Sequence, residues 1–384
     1  MVVDDEPDLE LLVRQRFRRQ IRDREFEFLF SHNGEEALQI LAIQPAVELV
    51  LSDINMPVMD GLTLLSKLGD TNKSLRAVVV SAYGDMSNIR TAMNRGAIDF
   101  LIKPIDFEDL EITIRRTLDH VAQFKTSVQT HERLMAIQYE LGVAARIQQA
   151  ILPRTFPPFP GRKDFELHAA MLPAREVGGD LFDFFLLDED HLGFVLGDVS
   201  GKGVPAAIFM AVSRTLLRAI ALQRVPPGKC LDYLNTTLTV QNTANMFVTM
   251  FYGILDTRTG DMEYAIGGHN PPYVFSAGGE IRELPTGNAG PVVGLLEDAQ
   301  FQTGTYRMTP GEGILLFTDG VTEAINRNEE FFNEERLELF LASHRTESTE
   351  RLVSNLHREV QVFAEGMPQA DDITVLALRY LGCN

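Results

Sequence analysis

The chain has 384 residues, of which 45% are hydrophobic and 23% charged, with a formal net charge of −19. That length exceeds one ordinary core and predicts two domains and a connector. The acidic balance excludes a nucleic-acid-binding output, since the densest basic stretch, Arg14 to Arg24, is flanked by Asp and Glu.

Residues 1 to about 120 alternate short apolar runs with amphipathic stretches. The runs are Met1–Val3, Phe26–Phe30, Leu49–Ser52, Ala77–Val80 and Asp99–Ile102. Several are β-branched and uninterrupted, as expected of strands buried on both faces of a parallel sheet. Helical segments such as Leu9–Gln20 and Glu35–Ile43 lie between them, so the prediction is a doubly wound α/β domain with function at the carboxyl ends of its strands. Those ends carry Asp4 and Asp5, Asp53, Ser81, and Lys103-Pro104. The first run is short for a buried strand. It predicts a weak first strand and leaves open whether residues precede Met1.

Phe107 to Leu152 contains no proline and only Gly142 against helix formation, which predicts one long helix. Apolar residues recur at Leu118, Val121, Phe124 and Val128, then at Leu134, Ile137, Leu141, Ala144 and Ile151. The second set approximates a heptad seam with Gln148 as a polar member, and the register slips near His131. The expectation is a parallel dimeric coiled coil. Pro153 ends the helix, and the proline-rich Pro153–Gly161 leads into the next domain as an extended segment.

From residue 156 to 382 the pattern is mixed. Strands are predicted at Glu166–Met171, Asp180–Leu187, His191–Asp198, Phe247–Asp256, Asp261–Ile266, Tyr273–Ser276, Gly313–Thr318 and Ile373–Leu378. Helices are predicted over Pro205–Ala221, Glu334–Leu341 and Thr349–Phe363. Four acidic motifs sit at the strand ends: Glu176-Val-Gly-Gly-Asp180, Gly197-Asp-Val-Ser-Gly-Lys-Gly203, Thr318-Asp319-Gly320 and Asp371-Asp372-Ile-Thr374. Gathered carboxylates repel one another unless cations lie between them, and Mg²⁺ and Mn²⁺ prefer oxygen ligands. The set reads as a two-metal hydrolytic site.

The first third, through Val2-Val-Asp-Asp-Glu6, Asp53-Ile-Asn-Met-Pro-Val-Met-Asp-Gly61, Val80-Ser-Ala82 and Lys103-Pro104, resembles the CheY-like receiver domains of two-component response regulators. The resemblance implies a five-stranded parallel sheet and a sensor histidine kinase as partner. Asp53 would be the phosphoacceptor. Asp4, Asp5, Asp53 and the carbonyl of Asn55 would hold Mg²⁺. Ser81, Lys103 and the aromatic Phe100 would form the switch, with a cis Lys103–Pro104 bond.

The second half, through Arg175-Glu-Val-Gly-Gly-Asp180, Gly197-Asp-Val-Ser-Gly-Lys-Gly203, Gly267-Gly-His-Asn-Pro271, Thr318-Asp-Gly-Val-Thr-Glu323 and Ala370-Asp-Asp-Ile-Thr374, resembles the SpoIIE/RsbU branch of the PPM-type serine/threonine phosphatases. That implies an α+β fold, a β-sandwich flanked by helices, and two Mn²⁺ or Mg²⁺ ions that activate a water for in-line attack on phosphorus. Asp198 would bridge both ions, with the Val199 carbonyl completing one site. Asp180 would act directly or through water. Asp319 and Asp371 would hold the other ion, with Asp372 in a secondary role.

Eukaryotic relatives carry a histidine two residues after the bridging aspartate, and here that position is Ser200. Leaving-group protonation is then expected from solvent or from His269, for which a structural turn role is preferred.

The expected organisation is a receiver over 1–120, a helical coiled-coil linker over 121–155 and a phosphatase over 156–382. The expected function is a receiver-controlled protein phosphatase acting on a phosphorylated STAS-type anti-sigma-factor antagonist, as a homodimer. The alternatives are a non-catalytic interaction scaffold and a phosphatase for small phosphoesters. No uninterrupted apolar run of about 18 residues predicts a membrane span. No signal-peptide pattern opens the chain, so a cytoplasmic location is expected. Cys230 and Cys383 are too few and too far apart for a disulfide framework or a zinc site.

Overall fold

A computed structural model describes residues 1–69, 75–240, 242, 244–287 and 289–382; Cys383 lies outside the described residues. The chain forms two compact units, Met1–Ile137 and Gln138 onward.

In unit 1, five strands, β1 (Val2–Val3), β2 (Phe30–Ser31), β3 (Leu49–Asp53), β4 (Arg76–Ala82) and β5 (Asp99–Lys103), pair in parallel in the order β2-β1-β3-β4-β5. Between them run α1 (Pro7–Arg16), α2 (Arg18–Arg22), α3 (Gly34–Ile43), α4 (Gly61–Leu68) and α5 (Met86–Asn94). The helix starts follow from local chemistry. The Asn33 side chain accepts from the Glu35 and Glu36 amides, and Asp60 accepts from Thr63 N at 2.7 Å.

Two buried clusters line opposite faces of the sheet. Val3, Val50, Ala77 and Val79 pack with Leu64, Leu65 and Ala92, whereas Val2, Leu51, Val78 and Leu101 pack with Val13, Phe17, Leu110 and Ile114. That two-sided burial accounts for the uninterrupted apolar runs. The second strand is shorter and later than the predicted Phe26–Phe30. Phe26 and Phe28 instead pack with Phe17, their ring centroids 5.9 and 5.3 Å from it, so aromatic packing governs where edge pairing was expected. The weak first strand is observed as a central strand of only two paired residues.

The helix α6 (Phe107–Ile151) is continuous over 45 residues, one residue short of the predicted end. Val121 is buried, while Phe124, Val128, Leu134 and Ile137 are exposed in this single chain. Gln148 does not act as a seam residue. It is buried, and its side chain bonds the backbone of Gly178.

Unit 2 contains two antiparallel sheets. One, in the order β13-β10-β9-β8-β7, comprises β7 (Leu181–Leu186), β8 (His191–Val199), β9 (Val248–Asp256), β10 (Asp261–Gly267) and β13 (Gly304–Arg307). The other, β12-β11-β14-β15-β6, comprises β6 (Phe165–Leu172), β11 (Tyr273–Phe275), β12 (Arg282–Glu283), β14 (Gly313–Phe317) and β15 (Ile373–Tyr380).

The period-2 alternation of the strands sorts their side chains. Phe182, Phe194, Leu196 and Phe251 meet Leu167, Ile314, Leu316 and Leu376 between the sheets. The opposite faces bury against helices. Val195 and Tyr252 pack on α7 (Val204–Ala221) and α8 (Pro227–Thr239). Leu315, Phe317 and Val375 pack on α10 (Asn333–His344) and α11 (Thr349–Ala364), and the one-turn α9 (Asp319–Thr322) follows β14. The result is the expected β-sandwich between helix layers. The short β12 and β13 and the helix α8 were not foreseen.

By length and composition α7 is apolar enough to cross a membrane, which the sequence expectation missed because Arg214 and Arg218 interrupt its apolar run. Both arginines pair with the fully buried Asp183 of β7, at 2.9 and 3.0 Å. Ala206, Met210, Leu217 and Ala221 are buried in the unit 2 core.

Candidate active site

Sheet register assembles the acidic motifs of unit 2 at one end of the sandwich. Leu181 pairs with Gly197, which sets Asp180 beside Asp198. In the other sheet Phe317 pairs with Val375, and the Thr318 amide donates to the Thr374 carbonyl at 3.0 Å. That register brings Asp319 and the Asp371-Asp372 pair together.

The two sheets are joined at the site. Asp180 Oδ2 accepts from the hydroxyls of both Thr318 and Thr374. Its other oxygen, Oδ1, is buried with no hydrogen-bond partner among the described residues, and so is Oδ1 of Asp319. Unsatisfied buried carboxylate oxygens are costly unless something binds them. Two of them in this group of five aspartates leave oxygens for a cation to take, and an all-carboxylate donor set suits Mg²⁺ or Mn²⁺. Among the described residues no three of these carboxylates bring oxygens within 4.8 Å of one another, so a cation would draw them closer.

The electrostatics agree. Burial, reinforced by Asp198 and Asp372, holds the Asp180 carboxyl well above its ordinary range. Burial and then Asp319 push Asp198 from 3.8 up to about 7. Burial, Glu323 and Asp371 raise Asp319.

The sign of the resulting pH dependence follows. Between about 4 and 7 the folded Asp198 binds a proton that the unfolded chain has released, so stability falls as pH rises through that window. Buried His269 and His357, each pulled down to about 4, act in the opposite sense, so the effect is read against Asp198→Asn. Between pH 5.5 and pH 8 the metal-free wild type should lose more melting temperature than the variant, and Mn²⁺ should raise the wild-type melting temperature more at pH 8. Calorimetric scans at the two pH values check this.

Asp372 has a clear structural position. Its Oδ1 accepts from the Ala174 amide at 2.7 Å, and its Oδ2 from the Gly179 amide at 2.6 Å and the Asp180 amide at 3.3 Å. It clamps the loop that carries Asp180. A Cβ on Gly178 would lie 2.3 Å from Asp372 Oδ2, which is why glycine stands there. The same glycine is held from the other side by Gln148, whose Nε2 donates to its carbonyl at 2.5 Å and whose Oε1 accepts from its amide at 3.0 Å. The Val199 carbonyl faces this loop, 2.9 Å from where a Cβ on Gly179 would stand.

His269 is buried, and its Nδ1 lies 3.0 Å from Thr249 Oγ1. Burial pulls it down to about 4, so it is a neutral imidazole at physiological pH. Ser200 accepts from the Phe247 amide at 2.9 Å, tying the end of β8 to the start of β9.

Thr318, Thr374 and Lys202 stand inside the acidic motifs with no task assigned by the sequence pattern, and Gln148, expected on the heptad seam, faces Gly178 instead. The hydroxyls beside acidic residues were the available signal for the threonines. Lys202 Nζ lies 2.8 Å from Asp371 Oδ2.

In unit 1 the carboxylates of Asp4, Asp5 and Asp53 each bring an oxygen within 4.8 Å of the others. Asp4 and Asp53 are buried, while Asp5 is exposed. Burial raises the Asp4 carboxyl against the pull of the Glu6 amide and Lys103. Lys103 Nζ donates to Asp53 Oδ2 at 2.7 Å and lies 3.0 Å from Asp4 Oδ2. The Asn55 amide donates to Asp53 Oδ1 at 3.3 Å. Ser81 lies on the neighbouring strand, its hydroxyl fully buried with no hydrogen-bond partner among the described residues. Phe100 is half-buried against the core, and the Lys103–Pro104 peptide is cis.

Comparison with known proteins agrees with both units. Residues 188–381 match the Stage II sporulation protein E (SpoIIE) family, and residues 1–115 match the response regulator receiver domain. Protein IcfG of a Synechocystis species is 31% identical over 67% of this chain, and the match spans 44% of IcfG's own length. The phosphoserine phosphatase RsbU of Bacillus subtilis is 26% identical over 71% of this chain and 80% of its own. The solved SiaA-PP2C domain of Pseudomonas aeruginosa shares the fold with a TM-score of 0.58 at 22% identity, covering 65% of this chain and 98% of that one. The chain belongs to the SpoIIE family of PPM-type protein phosphatases, joined in one polypeptide to a response regulator receiver domain.

Proposed function

We propose that phosphorylation of Asp53 by a sensor histidine kinase controls a metal-dependent phosphoserine/phosphothreonine protein phosphatase in the same chain. The receiver occupies residues 1–120, a helical linker 121–155 and the phosphatase 156–382. The carrying observation is the meeting of Asp180, Asp198, Asp319 and Asp371 at one end of the sandwich, with buried oxygens of Asp180 and Asp319 left without hydrogen-bond partners among the described residues.

Two divalent cations held by Asp198, Asp180, Asp319, Asp371 and the Val199 carbonyl would supply charge neutralisation and a water activated at neutral pH. The chain's own groups prepare that site. Thr318 and Thr374 fix the Asp180 carboxylate, and Asp372 and Gln148 fix the loop that carries it. The neutral, enclosed His269 and the engaged Ser200 leave the proton for the leaving oxygen to solvent.

In the receiver, Asp4, Asp5, Asp53 and the Asn55 carbonyl would hold Mg²⁺. Lys103 and Ser81 would contact the phosphoryl oxygens, and Phe100 would act in the switch. The exposed Phe124, Val128, Leu134 and Ile137 of α6 support a homodimeric coiled coil. The substrate we propose is a phosphorylated STAS-type anti-sigma-factor antagonist in the cytoplasm, supported by the likeness to RsbU.

The purified chain should hydrolyse a phosphoserine substrate with Mn²⁺ and stop on chelation. Acetyl phosphate should change its turnover severalfold, and Asp53→Asn should abolish that response without abolishing turnover. Identical turnover of wild type and variant, each with and without acetyl phosphate, would reduce the receiver to a docking module. Partner binding without any metal-dependent turnover would favour the scaffold.

A further inference from the structure

Lys202 stands between Gly201 and Gly203, whose φ values of 84° and 78° lie in the left-handed region. This tight loop turns the lysine across the site. Its Nζ lies 2.8 Å from Asp371 Oδ2 and donates to the Ala370 carbonyl at 2.5 Å. Its charge also acts on Asp319. The ammonium therefore lies against the carboxylate pair assigned above to one metal ion.

The backbone field does not favour a cation at this place. Lys202 directly precedes Gly203, the N-cap of the 18-residue α7, and so faces the positive end of the helix dipole. The carboxylate holds it there. Asp371 Oδ1 accepts from the Asp372 amide at 2.9 Å, and its Oδ2 is the oxygen that Lys202 holds. A divalent cation bound to that carboxylate repels the ammonium beside it. The lysine side chain is 40% exposed, and its flexible four-carbon stem lets the charge move a few ångströms toward the mouth of the site.

We propose that Lys202 is the substrate-phosphate-binding cation of this site, kept on Asp371 as its counter-ion in the metal-free protein and released to the phosphoryl oxygens when a divalent cation takes that carboxylate. The proposal rests on the reading of Asp319 and Asp371 as metal ligands. Phosphoryl transfer spreads negative charge over three equatorial oxygens, and a cation beside the metals stabilises it. The positive end of α7, which opposes Lys202 at rest, favours the same phosphoryl group.

The test uses the full chain, with Lys202→Met and Lys202→Arg. Mn²⁺ affinity is measured by titration calorimetry, and inorganic phosphate is the inhibitor of p-nitrophenyl phosphate turnover. Lys202→Met should bind Mn²⁺ up to about fivefold tighter, the equivalent of one partly exposed ion pair removed. Its inhibition by phosphate should weaken about tenfold or more, the loss of a charge-assisted contact. Lys202→Arg should keep most of the phosphate inhibition. A Lys202→Met protein that folds, turns over and shows wild-type phosphate inhibition would overturn the assignment alone. So would weaker Mn²⁺ binding in that variant. A wild-type chain that neither binds Mn²⁺ nor hydrolyses the phosphoester would overturn both this assignment and the function it rests on.

Discussion

Asp198→Asn should lower kcat on a phosphoserine substrate by about 10³-fold or more, some 4 kcal/mol of transition-state stabilisation, while leaving the metal-free fold at least as stable. The two halves of this expectation have one origin. Asp198 lies at the end of β8, where Asp180, Asp319, Asp371 and Asp372 all bear on it. Its carboxyl is pushed up to about 7 by burial first and then by the charges of Asp319, Asp371 and Asp372, against a pull from Asp180. Asparagine keeps the shape and removes the Asp198 charge, so the neighbouring carboxylates repel one another less and the metal-free melting temperature should hold or rise. The same change removes an anionic ligand proposed to hold the cations, so the stabilisation by Mn²⁺ should shrink along with turnover. A residue important only for packing would lose stability and activity together. Full hydrolysis by the variant, with an undiminished Mn²⁺ effect on melting, would show that the site does its chemistry without Asp198.

Legibility in the sequence followed physical range. The receiver sheet was readable because its strands are buried on both faces, so the runs Leu49–Ser52 and Ala77–Val80 are almost wholly apolar. The edge was not, because Phe26 and Phe28 satisfy a strand pattern while packing on Phe17. In unit 2 the strands that carry Asp180 and Asp198 were legible through alternation and motif. The strand Gly304–Arg307 was not, since its burial is slight and its pairing with β10 is long-range.

The candidate ligands were visible as acids beside glycine and hydroxyl residues. Their supports were less visible. Asp372 reads as one more acid in the motif, and only the fold shows both its oxygens taken by the amides of residues 174, 179 and 180. Gln148 fell at a heptad position, and helix periodicity cannot distinguish a seam glutamine from one turned onto a loop 30 residues away.

That glutamine supports the second large effect. Gln148→Ala should lower turnover at least tenfold and raise the Mn²⁺ concentration needed for half activity, with the melting of unit 1 unchanged. The side chain is buried and makes two bonds to one residue, accepting from the Gly178 amide and donating to its carbonyl. Truncation leaves both backbone groups without partners, a penalty of about 1–3 kcal/mol for each. The loop can relieve that penalty only by moving. Gly178 cannot move toward Asp372, whose carboxylate already closes against it, so relief must come from displacing the segment that leads into Asp180.

A carboxylate moved by even a fraction of an ångström holds a hard cation less well, which is why the expected loss appears in metal dependence and not only in rate. Gln148→Glu separates the two bonds, because it can still accept from the amide but cannot donate to the carbonyl when ionised. It should fall between wild type and Gln148→Ala, or below both if the buried charge dominates. Wild-type Mn²⁺ dependence in Gln148→Ala would show that the clamp from Asp372 suffices alone. A loss in Mn²⁺ affinity would instead make the end of α6 a structural part of the phosphatase site.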